Sequence, residues 1–163
     1  MRERELRRVL SDACGRVEVL SDRARRSARR RWQKTYSRNV KAFAGRWCFY
    51  GLDWHTFSWG FASARSGSAA LTLYRAQGAD QLIVLPEDVD LAAFRRLEGG
   101  HPDLSNHSID VSISPEDFRW TVVFTHDDDC GPYFARASWQ RSKSSPPRHL
   151  PAGVLTKAPS RRA

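Results

Sequence analysis

Sixteen residues, "RWTVVFTHDDDCGPYF" from Arg119 to Phe134, place a histidine, three aspartates and a cysteine directly after an apolar run. A second stretch, "DWHTFSW" from Asp53 to Trp59, sets another histidine and aspartate among aromatic residues. Together they suggest metal chemistry. A catalytic zinc site takes about three protein ligands and leaves one position for a water that the ion activates. His55, His126, Asp127 and Asp129 are the candidate ligands, with Asp53 and Cys130 beside them. The spacing carries no C-x-x-C, no H-E-x-x-H and no helical histidine pair four residues apart.

The same sixteen residues also read as the end of a β-hairpin. Alternation puts Trp120, Val122 and Phe124 on one face of a strand and Thr121, Val123 and Thr125 on the other. The aspartates then solvate a turn, and Gly131-Pro132 directs the chain back. His126 would hydrogen-bond the turn backbone or a carboxylate through one ring nitrogen. Of the two, the hairpin is the more economical. If His55 and His126 converge, the pair becomes a site candidate coupled to the acidic turn. Trp54, Phe57, Trp59 and Tyr133 are candidate binding residues, since an aromatic pocket suits a planar ligand or a partner side chain.

Nucleophilic catalysis has little support. No serine sits in G-x-S-x-G, and "ARSGSAA" lacks the lysine and spacing of a phosphate loop. Cys130 beside three carboxylates is in a field that disfavours thiolate. No cofactor is expected.

The charge is unevenly distributed. Residues 1–46 hold 15 Lys and Arg against 5 Asp and Glu, residues 47–139 hold 6 against 13, and residues 140–163 hold 6 against none. An acidic centre lies between basic flanks. "RARRSARRRWQK" makes Arg25, Arg26, Arg29, Arg30 and Arg31 candidates for nonspecific nucleic-acid contact. The helix bearing them has a mostly alanine apolar face, too thin to insert into a bilayer. No run approaches the ~20 apolar residues of a membrane helix, and the N-terminus lacks the apolar core of a secretory signal. Three cysteines without framework spacing argue against a disulfide scaffold and for a reducing, cytoplasmic setting.

Apolar residues recur every three or four positions from Leu6 to Phe43, which predicts helix, with Gly15 weakening it and Ser21-Asp22 capping a second segment. The pattern divides the chain into a basic, frayed or helical extension (1–31), a globular domain (32–139) and a disordered basic tail (140–163). Within the domain, "SAALTLYRA", "QLIVLP", "IDVSIS", "RWTVVFTH" and "GPYFARASW" read as strands, and Glu87–Glu98 as a helix. The expected fold is α+β, one small domain. An antiparallel sheet of four or five strands would carry its helices on one face.

"DWHTFSW" and "DFRWTVVFTHDDDCGPYF" resemble the two signature segments, WH-x-FS-aromatic and W-T-x-V-x-T-H-acid…G-P-Y-F, of a bacterial domain-of-unknown-function family. The resemblance covers roughly Trp32 to Phe134 and departs at Asp127, where the family has glutamate. It implies domain boundaries and brings no activity, cofactor or catalytic residue. The expected function is that of a small cytoplasmic, non-enzymatic protein of regulatory or immunity-like type, binding a protein partner through its acidic domain. A divalent-metal hydrolase at His55, His126 and the aspartates is the alternative. A nucleic-acid-associated protein acting through the arginine-rich helix is the third.

Overall fold

The computed structural model describes residues 3–37, 52–78, 81–88, 90–127 and 129–141. The expectations for Val40, Phe43, Cys48, Val89, Asp128, the Ala79-Asp80 turn and residues 142–163 lie outside them. The described residues form a seven-stranded, wholly antiparallel sheet in the order β1-β4-β3-β5-β6-β7-β2. The strands are β1 (Val17–Val19), β2 (Arg65–Ser66), β3 (Leu82–Pro86), β4 (Phe94–Arg96), β5 (Val111–Pro115), β6 (Trp120–Phe124) and β7 (Tyr133–Arg136). Four helices accompany it: α1 (Glu3–Cys14), α2 (Asp22–Tyr36), α3 (His55–Ser58) and α4 (Gly67–Arg75).

Mixed helix and sheet is the expected class, but the details differ in three ways. The sheet has seven strands rather than four or five. The three additional ones, β1, β2 and β4, are two or three residues long, too short to show an alternating pattern. "SAALTLYRA" is not a strand but α4, which buries Ala70 and Tyr74 four residues apart. Glu87–Glu98 is not a helix. Its end is β4, pairing with β3 on one side and β1 on the other, so two ladders of hydrogen bonds outweigh a four-residue apolar spacing.

The helices also cover both faces of the sheet, not one. Leu82, Val84, Val111, Ile113, Trp120, Val122, Phe124 and Phe134 join Leu6 and Leu10 of α1 and Ala70 and Tyr74 of α4 in one cluster. The opposite parity, with Ile83, Leu85, Val123, Tyr133 and Ala135, packs under Trp32 and Tyr36 of α2 and Phe57 of α3. Strands β3, β5 and β6 are therefore buried at every position, as a sheet covered on both sides requires. Two hydrogen bonds cross the second face: Trp32 Nε1 donates to Thr121 Oγ1 at 2.9 Å and the Tyr36 hydroxyl to the Phe118 carbonyl at 2.8 Å.

Residues 3–31, expected as a frayed or helical extension, supply two helical segments and an edge strand to this packing. Gly15, at φ 72°, ends α1, and the Ser21 side chain accepts from Ala24 N to start α2. Leu6 and Leu10 have no exposed surface. Leu10→Ala is expected to destabilise the protein by about 2–5 kcal/mol, the range for leucine deletion in a closed core. Denaturant unfolding tests it, and a loss below about 1 kcal/mol would show that α1 does not close the first face.

Candidate functional site

The two signature segments meet at one end of the sheet, on the face covered by α2 and α3. Val111 of β5 pairs with Phe124 of β6, so Asp110, just before β5, lies beside His126, just after β6. The His126 backbone N–H donates to Asp110 Oδ1 at 3.0 Å, and its Nδ1 lies 2.8 and 2.9 Å from the two carboxylate oxygens. A carboxylate only accepts, so Nδ1 carries the proton and Nε2 points away from the pair. The Asp110 side chain is 14% exposed and that of His126 is 51% exposed. Sequence reasoning missed Asp110, because nothing in "IDVSIS" marks it except its place at the strand's start.

The acidic turn is built by its own backbone. Asp127 Oδ1 accepts the Asp129 N–H at 3.1 Å, its carbonyl accepts the Cys130 N–H at 3.0 Å, and the Thr125 hydroxyl reaches the carbonyls of Asp127 and Cys130. Gly131 sits at φ 91°, where a Cβ would lie 3.1 Å from Thr125 Oγ1, so this position needs glycine. The bond to Pro132 is cis. Burial, then Asp127, pushes the Cys130 thiol up, away from thiolate. Among the described residues, which omit Asp128, no group of three or more His, Cys, Asp or Glu side chains is placed to hold a metal ion.

Four of the sequence-chosen side chains come together here. The Trp54 ring lies 3.9 Å from that of His55, 6.3 Å edge-on from His126 and 6.4 Å in a stack with Tyr133. His55 Nδ1 is 3.2 Å from Ser58 Oγ. Burial lowers the His55 pKa; His126 lowers it further, while Asp110 and Asp127 oppose the shift. The two histidines thus converge within one electrostatic neighbourhood. Trp59 stands at its rim, 41% exposed, edge-on to His55 and stacked on Phe61. Phe57 is not a lining residue. It is buried against Trp32, Tyr36 and Tyr133.

Behind this surface lies a buried ion cluster. Asp53 accepts from Gln33 Nε2 at 2.9 and 3.2 Å and from Arg29 at 3.4 Å. Glu87 accepts from Arg29 and from the Asp53 backbone N–H, both at 3.2 Å. Arg29 also reaches the Pro86 carbonyl. One guanidinium faces two carboxylates in a poorly solvated place, and burial raises the pKa of both. For Glu87, whose side chain is 3% exposed, burial first and Asp53 second push it up to about 8.

Arg29 is therefore engaged by Asp53, Glu87 and the Pro86 carbonyl. Arg25 contacts the Leu91 carbonyl and Asp22, both at 3.4 Å. Arg31 lies 5.1 Å over the Phe118 ring and donates to the carbonyls of Glu116 and Asp117. Only Arg26 and Arg30 of the five candidate arginines are exposed without such contacts among the described residues. Also among the described residues, no helix is long and apolar enough to cross a membrane. No family model, curated protein or solved structure matches the chain.

Removing Arg29 leaves the buried Glu87 and the partly buried Asp53 without their cation. Arg29→Ala is expected to cost about 3–5 kcal/mol in urea unfolding at neutral pH. Glu87 has a folded pKa above its ordinary 4.5, so its contribution to stability is complete below that ordinary value and falls as pH rises through about 8. Glu87→Gln should flatten the stability curve over this window. A curve of unchanged slope would place the proton elsewhere.

Proposed function

We propose that the chain is a non-enzymatic binding protein of regulatory or immunity-like type, acting in the cytoplasm. It docks a protein partner at the end of the sheet where the two signature segments meet. The observation that carries it is Trp59: a large aromatic side chain, 41% exposed, held in place by Phe61 and His55. Pre-ordered tryptophan at a rim is the residue type that most often dominates binding energy. Asp110 and Asp127 act electrostatically on His55, the ring that Trp59 meets edge-on, so the complementary partner surface bears arginine or lysine, which also pairs with an indole face. Against catalysis stands the engagement of Asp127 in the turn itself.

The test is purification of the partner that the wild-type protein retains in the cells that make it, followed by titration of the pure partner. Trp59→Ala should weaken binding by at least ~30-fold, the ~2 kcal/mol of an interface anchor, while leaving thermal unfolding within a degree or two. Equal affinity of variant and wild type would remove this surface from the interface.

A further inference from the structure

The fold sorts the cations of α2 into two sets, and the sorting has a direction. Arg25, Arg29 and Arg31 are engaged by protein groups, as described above. Arg23, Arg26, Arg30 and Lys34 are exposed, and among the described residues no acidic side chain pairs with any of them. At about 100° per residue, these four fall within an arc of roughly 80°. That arc is centred roughly 140° from the face that buries Trp32 and Tyr36. The row spans about 16 Å of helix, over which a duplex presents about ten phosphates.

We infer that this outer face of α2 is a docking strip for the phosphate backbone of duplex nucleic acid, a second surface distinct from the Trp59 end. Three observations select that occupant. Among the described residues the four cations have no carboxylate of their own to neutralise them, since Asp22 is held by Arg25 and Asp117 by Arg119. The strip carries no aromatic residue on which unpaired bases would stack, which disfavours a single strand. It carries no apolar residue either, so it has nothing to bury in a lipid surface. Contacts of this kind read charge spacing and carry no base sequence.

The experiment uses the full chain and a fluorescent DNA duplex of about 20 base pairs, titrated by anisotropy from about 50 to 200 mM salt. Two variants each lower the formal net charge from +9 to +5. One is R23Q/R26Q/R30Q/K34Q on the strip and the other is R148Q/K157Q/R161Q/R162Q near the C-terminus. Loss of four phosphate contacts should reduce the slope of log affinity against log salt by about 3–4 in the strip variant. The C-terminal variant should keep most of the wild-type slope. Equal loss in both variants would reduce the effect to net charge and overturn the inference, as would absence of binding by the wild type. Equally tight, strip-dependent binding to phosphatidylserine vesicles would assign the strip to a membrane surface instead. Circular dichroism of the strip variant should match wild type, since the four side chains touch nothing in the core.

Discussion

One partly buried guanidinium fixes the relation between three parts of the chain that sequence keeps far apart. Arg29 on α2 faces Asp53 at the entrance to α3 and Glu87 at the end of β3. These groups leave water together, and each is tolerable there only because the others are present. Asp53 then sets where Trp54 and His55 begin, and the Glu87 backbone N–H donates to the Asp110 carbonyl at 2.8 Å. Asp110 in turn orients His126. The exposed face of the candidate site is thus anchored, through two short polar links, to an interior charge cluster.

Around that cluster the sheet is built to be covered twice. Most antiparallel sheets leave one face to water and show it as clean alternation. Here both parities of β3, β5 and β6 are enclosed. On the second face Thr121 and Ser112 find indole or backbone partners, while Ser114 Oγ is buried without one among the described residues. Hence the helices divide, α1 and α4 on one side, α2 and α3 on the other.

What was legible in the sequence follows from length and locality. Strands β3, β5, β6 and β7 show as apolar runs bounded by turn residues, and the Asp127–Gly131 turn was readable because aspartate and glycine act on their own neighbouring backbone. Over the nine residues of α4, by contrast, Ala70, Leu71, Leu73 and Tyr74 satisfy a period of two nearly as well as one of 3.6. The segment before β4 has helical spacing, yet its strand exists through partners about 12 and about 77 residues away. His55 and His126 were marked by type, and their meeting was left as a condition on the fold. Arg29 could not be singled out at all. It is one of seven cations in a run of twelve, and the acids that distinguish it lie 24 and 58 residues further on.

The strand order has a consequence for synthesis. β1, at residues 17–19, is an edge strand whose sole partner among the described residues is β4, at residues 94–96. At a translation rate of about 5–20 residues per second, some 4–15 s separate the two on the ribosome. During that interval Leu6, Leu10 and the β1 backbone have no sheet to join, while the β3 surface that will receive them is still being made. The amino-terminal segment is therefore made first and docked late. A nascent chain of this protein needs either its own arginines or a holding chaperone to keep that segment soluble until the middle of the sheet arrives.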